Sequence, residues 1–335
     1  MNYFRPIPQS DPARPAGAYD LASGWCWFDR VEVLSRHAAP QVIAAADTPA
    51  DVLARLTAAR PGFLGLTWAQ PRLMGILNVT PDSFSDGGLF MEPTAALGQV
   101  QAMADADILD IGGESTRPGA VLVAPDQEIA RTAPVIAAIR AAGIATPISI
   151  DTRKASVAAS ALQAGAGLVN DVSALTFDPA MAAQVARAAC PVVLMHAQGT
   201  PQTMQADPQY DDVLLDVYDW LAARITAAMA AGIPRDRIAI DPGIGFGKTV
   251  DHNLALLQRL SLFHSLGCTV LLGASRKRFI GTIGGAEAAQ ARMPGSVAVA
   301  LAGAAQGVQM IRVHDVVETR QAMRLWFAVL RGDAT

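Results

Sequence analysis

Disulfide chemistry is the first thing this chain is short of. Its only cysteines are Cys26, Cys190 and Cys268, with no CxxC and no Cys/His ligand spacing. That excludes a disulfide framework or a structural zinc site and fits a reducing, cytoplasmic setting. A basic excess is missing too: 26 Lys and Arg stand against 30 Asp and Glu, a net charge of -4. No electrostatic footprint for nucleic acid follows from that balance, although one local anion site remains compatible with it. The first 24 residues are rich in Pro, Ala and Asp and lack a basic segment followed by an apolar core, so they do not form a signal peptide. Long apolar runs are scarce. The one uncharged window, residues 293–311, is rich in Ala, Gly and Ser and is interrupted by Pro294 and Gln306. It is expected to be a packed helix and strand, with no membrane partner.

What is present is a large apolar inventory, 51% hydrophobic against 17% charged over 335 residues, enough for a sizeable core. From residue 72 onward, short apolar runs alternate with Ala-rich helical stretches. Strands are predicted at 73–78, 108–112, 148–151, 168–171, 192–196, 238–241, 270–273 and 309–313. Helices are predicted at 128–142, 154–164, 211–231 and 295–306, with Gly143, Gly165 and Gly232 as left-handed caps. Near-continuous apolar strands imply a parallel sheet covered on both faces. Eight strand–helix units over roughly 250 residues, with a polar residue at nearly every strand end, favour an α/β fold of the closed (β/α)8 TIM-barrel type over an open, doubly wound sheet. Residues 1–71 then form an N-terminal extension that flanks or plugs a catalytic barrel of residues 72–335. Within the extension, 24–35 reads as an edge strand or hairpin, and 48–60 as a short helix with Thr48 as its N-cap.

Barrel strands converge at their C-terminal ends on one mouth. The segment 77–88 (LNVTPDSFSDGG) shows the pattern: an apolar strand stops at Asn78 and opens into hydroxyls, carboxylates, a proline and paired glycines. The other ends supply Asp110, Asp151, Asn170, His196, Asp241, the turn 273–277 with Lys277, and Arg312 with His314. Any one of these can be a turn former. Gathered in one pocket, so many carboxylates cost too much desolvation to be structural. Asp151, Asn170 and Asp241 suit the donor-rich edge of a fused aminopyrimidinone ring, with Lys277 as a charged donor. Arg312 and His314 suit a phosphate, and the neighbouring Asn78 a hard cation bridging its oxygens. The stretch 241–249 (DPGIGFGKT) imitates a phosphate-binding P-loop, but Pro242 falls where that loop needs its first glycine, and no helix is expected directly behind it. Its glycines are read instead as room for a flat ligand, with Phe246 as a lining ring.

These segments, together with DIGGESTRPGA (110–120), SIDT (149–152), NDVSAL (170–175), MHAQGTPQTMQ (195–205), SRK (275–277) and RVHDV (312–316), closely resemble the dihydropteroate synthase family. The resemblance covers about 72–330 and leaves out the extension. It implies condensation of 6-hydroxymethyl-7,8-dihydropterin pyrophosphate with 4-aminobenzoate, releasing pyrophosphate and forming 7,8-dihydropteroate. It further implies that Asp151, Asn170, Asp241 and Lys277 hold the pterin, with Met195 against its face. Asn78, Arg312 and His314 would hold the pyrophosphate, with Mg²⁺ at Asn78. Thr116, Arg117 and Pro118, with Phe246 and Ser275, would frame 4-aminobenzoate and the sulfonamides that imitate it, and a loop carrying Phe84 and Asp86 would close. Asp110, Asp151, Lys277, Arg312 and His314 are the catalytic set, and a homodimer is implied. Arg312→Ala is expected to stop turnover while leaving the pterin moiety bound. Two positions depart from the family, Ala197 after His196 and Ala274 before SRK, where methionine is usual. A pterin-binding methyltransferase module and a catalytically silent pterin-binding paralogue share parts of the pattern. The first lacks an account of the STRPG and SRK loops, and the second is separable only by assay.

Overall fold

The computed structural model describes residues 1–80, 93–115 and 119–333. The barrel is built from β6 (Arg72–Asn78), β7 (Ile108–Gly112), β8 (Ile148–Asp151), β9 (Leu168–Asp171), β10 (Val192–Met195), β11 (Ile238–Asp241), β12 (Thr269–Leu272) and β13 (Met310–Val313). These eight strands pair in chain order and close through β13 and β6. The pairings are parallel throughout, and β7 to β12 are buried along their whole length, which is why their sequences run apolar without alternation.

Around the sheet lie α2 (Pro93–Ala102), α3 (Pro125–Ala141), α4 (Ala155–Ala164), α5 (Met181–Ala188), α6 (Val213–Ala230), α7 (Val250–Gln258), α8 (Arg278–Gly284), α9 (Met293–Ala305) and α10 (Val316–Arg331). Helix α6 is capped by Asp212, whose carboxylate accepts from the Leu214 and Leu215 N–H groups. Gly143, Gly165 and Gly232 follow their helices with positive φ, as the sequence predicted. The uncharged window resolves into α9 and β13. Among the described residues, no helix is long and apolar enough to cross a membrane.

The extension packs over the barrel's N-terminal end. Its strands β1 (Asn2–Pro6), β4 (Arg30–Ser35) and β5 (Gln41–Ala44) make an antiparallel sheet, and β2 (Tyr19–Asp20) and β3 (Trp27–Phe28) a short ribbon. Tyr3 donates to Asp219 on α6, Glu32 pairs with Arg5 and Arg259, and the Trp25 indole donates to the Ala304 carbonyl. Phe63 and Trp68, edge-to-face at 5.5 Å, pack on the barrel-floor residues Met74, Ile108, Leu168, Val193, Ala239, Leu271 and Met310. Floor and plug form one apolar layer. One expectation fails in this region. The helix α1 (Ala50–Thr57) has Pro49, not Thr48, at its cap position, and no side chain caps it. Thr48 sits one residue too early, and its hydroxyl is buried without a hydrogen-bond partner.

Candidate functional site

Strand register sets one tier of the barrel mouth. Asn78 lies opposite Gly112, Gly112 opposite Asp151, and Asp151 opposite Asn170. Beneath that tier Asp110 is fully buried, its Oδ2 accepting from Asn170 Nδ2 at 3.1 Å and from Arg312 Nε at 2.6 Å. Arg312 reaches across from β13 and gives its Nη2 to Asp151 Oδ2 at 2.8 Å. One guanidinium therefore spans two buried carboxylates, while its Nη1 makes no hydrogen bond among the described residues. Asp110 Oδ1 has none either. Burial pushes the Asp151 carboxyl up to about 7, with Arg312 opposing and Asp110, Glu128 and Asp171 adding to the rise. Burial works against Arg312, but Asp110 and Asp151 outweigh it and its pKa stands above the ordinary arginine value. The sequence placed Arg312 on the anion side alone. The structure ties it to Asp151 as well, so its removal would leave that buried carboxylate without this partner.

The second group lies at β11 and β12. Asp241 is buried, and its Oδ1 accepts from the Gly243 N–H at 2.7 Å. Burial raises its pKa, with Lys277 the chief opposing group. Gly243 has φ +69°, and a Cβ there would fall 1.8 Å from the His196 carbonyl oxygen, so the turn closes only with glycine. Lys277 rests on this turn: its Nζ donates to the Ile244 carbonyl and lies 4.5 Å from the centre of the Phe246 ring. Burial lowers Lys277 to about 8, Asp241 opposing and Arg312 assisting. Met195, buried at the end of β10, pairs in register with Asp241.

Helix α7 begins directly after Thr249, which caps it in a reciprocal pair with His252, so the expectation of no helix behind 241–249 is corrected. The stretch still does not act as a P-loop. Lys248 is buried, its Nζ hydrogen-bonded with His196 Nδ1 and donating to the Phe246 carbonyl, so it is not presented to a phosphate.

The third group joins β12 to β13. Ser275 Oγ accepts from the His314 backbone N–H at 3.1 Å and lies 3.0 Å from His314 Nδ1. Ser275, expected beside 4-aminobenzoate, is thus in contact with His314. Phe246 likewise lies under Lys277. Arg276 pairs with Asp315 rather than with solvent. Ala274 is buried in the core, and Ala197 is half-buried beyond His196. Thr116, Arg117, Pro118, Phe84 and Asp86 lie outside the described residues.

A buried ion network went unread in the sequence. Glu114 accepts from the Val123 N–H and pairs with Arg153 and Lys154, and Lys154 also pairs with Glu128 at 2.5 Å. Burial alone would raise Glu114, but the Val123 N–H, Arg153 and Lys154 together hold its carboxyl below the usual range. Glu114 lies inside the DIGGESTRPGA stretch, yet its partners come from β8–α4 and α3, and sequence spacing does not show that.

Among the described residues, no three His, Cys, Asp or Glu side chains gather as a metal site. The donor set at the Asn78 tier is nevertheless of the right kind for a hard cation. Asn78 Oδ1 and Asp151 Oδ2 would each lie 3.8 Å from a Cβ at Gly112, a space the glycine leaves open between two oxygens. One or two protein oxygens suffice for a Mg²⁺ that takes its remaining ligands from phosphate and water.

Comparison with known proteins agrees with this geometry. A family model described as pterin binding enzyme matches residues 74–314. The dihydropteroate synthase of Neisseria meningitidis serogroup C is 46% identical over 265 residues, covering 78% of this chain and 93% of the relative. Among solved structures, Xanthomonas albilineans dihydropteroate synthase with 4-aminobenzoic acid is 48% identical with a TM-score of 0.74, covering 79% of this chain and 94% of that one. The same enzyme in complex with 7,8-dihydropteroate is 45% identical with a TM-score of 0.71, covering 79% and 95%. The matched span takes in the barrel and every strand-end residue described above, and on that footing the chain belongs to the dihydropteroate synthases among the pterin-binding enzymes.

Proposed function

We propose that the barrel mouth joins 6-hydroxymethyl-7,8-dihydropterin pyrophosphate to 4-aminobenzoate, giving 7,8-dihydropteroate and pyrophosphate. The observation that carries this is the tier Asn78–Gly112–Asp151–Asn170 spanned by Arg312. It sets acceptors for a pterin edge beside a cation whose Nη1 makes no hydrogen bond among the described residues. Asp151, Asn170 and Asp241 accept from the ring's N–H groups, Lys277 donates to it, and Met195 packs on its face. Arg312 and His314 receive the pyrophosphate, with Asn78 holding Mg²⁺. Thr116, Arg117 and Pro118 contribute to the 4-aminobenzoate side, and Phe84 and Asp86 to loop closure. The Xanthomonas albilineans relative is solved with 4-aminobenzoic acid and with 7,8-dihydropteroate, which supports this choice of substrates.

No activated nucleophile is required. The methylene C–O bond breaks, and its electron pair leaves with pyrophosphate onto the Arg312 side. The cation left on the pterin methylene is stabilised by the buried carboxylates, and the aniline nitrogen then bonds to it and sheds a proton. Asp110 touches neither substrate in this scheme. It is a positioning residue, fixing Arg312 Nε and Asn170 Nδ2. Bound Mg²⁺ would neutralise charge on the departing pyrophosphate. Pyrophosphate release that requires both substrates and Mg²⁺ is the expected result with purified protein. Pterin pyrophosphate binding without release would show a silent paralogue instead.

Exposed Val317, Leu325 and Val329 on α10 form an apolar stripe, and we assign it to a second copy of the chain. Light scattering should give a dimer, and a monomer at micromolar concentration would remove that assignment. All three cysteines are free and buried, which fits a cytoplasmic enzyme. Fractionation of cells expressing a tagged chain tests this, and a membrane-bound or secreted pool would overturn it.

A further inference from the structure

Lys248 is a buried ionisable group near the mouth that the scheme above leaves without a task. It is 3% exposed, and its amine has two partners: His196 Nδ1 at 2.9 Å and the Phe246 carbonyl at 3.0 Å. An uncharged amine has two N–H groups and a lone pair, which satisfy both partners whichever tautomer His196 adopts. An ammonium would carry a third with no acceptor in a buried place. Burial drives Lys248 well below the ordinary lysine value, with Asp241 opposing and Lys277 assisting. His196 is 5% exposed and held neutral, and its ring stands edge-on to Trp220 at 4.9 Å. Its backbone N–H donates to the Asp241 carbonyl at 3.0 Å.

The amine thus ties the end of β10 to the far side of the glycine turn. That turn has other ties as well, among them Gln205 Nε2 to the Gly245 carbonyl at 2.6 Å and the Tyr210 hydroxyl to the Gly247 carbonyl at 2.7 Å. The Asp241 carboxylate receives the Gly243 N–H, and Asn253 Oδ1 receives the Gly245 N–H at 2.6 Å. Between those pins lies the Ile244 carbonyl on which Lys277 rests, and directly after them comes the Phe246 ring beneath it. A Cβ at Gly245 would come within 3.0 Å of the Lys277 stem, so turn and lysine are in direct contact.

We propose that Lys248 is a positioning residue of the pterin side, acting through His196 and the Phe246 carbonyl to fix the turn that seats Lys277. This rests on the assignment of Lys277 to the pterin. Its role is that of a hydrogen-bonded tie between two loops, distinct from the phosphate contact its sequence setting imitates. Because it touches Lys277 only through the turn, its loss should weaken the pterin without acting on the second substrate or on bond cleavage directly.

The test is a double-mutant cycle in the full chain with Lys248→Met and Lys277→Met. Binding of 6-hydroxymethyl-7,8-dihydropterin pyrophosphate is measured by calorimetry, with steady-state kinetics and thermal unfolding alongside. Lys248→Met is expected to weaken pterin pyrophosphate binding about tenfold, leaving KM for 4-aminobenzoate within twofold. Added to Lys277→Met, it should cost little more, since the seat no longer has an occupant. Additive losses, or pterin binding unchanged by Lys248→Met, would overturn the inference, as would an equal loss for both substrates. If Lys277→Met itself leaves pterin binding intact, it is the assignment of Lys277 that fails. Lys248→Gln keeps an N–H pair on a shorter stem and takes the place of Lys248→Met in the cycle if that variant does not fold, with additivity again the refuting result.

Discussion

Replacing Arg312 by methionine is the sharpest perturbation the geometry offers. Methionine matches the stem but deletes the Nε bond to Asp110 and the Nη2 bond to Asp151. Asp110 is fully buried with Oδ1 already unpartnered, and Asp151 is 8% exposed, so solvent replaces neither bond. Breaking a buried ion pair from one side costs about 3–5 kcal/mol, and two charge-assisted bonds at about 2 kcal/mol each reach the same figure. Part of that cost should appear in stability and part in turnover, where loss of one preorganised donor is worth about 100-fold or more.

Protonation divides the two parts. A carboxyl whose folded pKa is raised keeps its proton longer than the unfolded chain does. Its contribution to stability is fully present below about 3.8 and is lost as pH rises through about 7. Without Arg312 the Asp151 value climbs further, so the loss becomes larger and continues to higher pH. The melting temperature of Arg312→Met should therefore lie closer to wild type at pH 5 than at pH 8. Pyrophosphate release should fall about 100-fold or more, and binding of the phosphate-free pterin alcohol should weaken as well. Turnover within threefold of wild type, or a melting difference that does not grow with pH, would refute the spanning role of this arginine.

Pterin affinity should peak between about 7, where Asp151 becomes an acceptor, and about 8, where Lys277 gives up its proton. Calorimetry across pH should show both limbs in the wild type and no alkaline limb in Lys277→Met. Asp241→Asn keeps the shape but turns an acceptor into a donor. It should weaken the pterin by about two orders of magnitude while unfolding no earlier than wild type, because a buried charge is gone. Phe63→Ala empties part of the floor plug and should cost about 3–5 kcal/mol in denaturant unfolding. Its KM values should match wild type, since the plug lies at the end opposite the mouth.

The barrel was legible because its strands are buried on both faces and end in polar residues, two signals that survive in one dimension. β7, β8, β9 and β11 have the predicted bounds, β6, β10 and β13 shift by one residue at one end, and β12 starts and stops one residue earlier. What did not survive is anything that depends on which strand lies beside which. The span of Arg312 over Asp110 and Asp151 joins positions 202 and 161 residues apart. The Glu114 network draws on α3 and α4, and Ser275 turns toward His314 because β12 and β13 are neighbours. Lys248 is hidden for a different reason: its place in a P-loop-like string points to phosphate, and nothing in one dimension marks a lysine as buried. Thr48 shows the limit of cap preferences. A good capping residue is idle when the next residue, here Pro49, takes the cap position.

The tier Asn78–Gly112–Asp151–Asn170 has a consequence for how this chain can change. Those residues face each other only because three successive strand pairings keep step. A slip of one residue in β7 would turn Asp110 from the barrel interior toward the helices and shift two seams at once. Point substitutions at the mouth are therefore graded changes, whereas an insertion or deletion inside these strands scrambles the whole recognition surface. Length variation is confined to the connecting loops and to the extension, and diversification of the pocket has to proceed by exchange of side chains at fixed addresses.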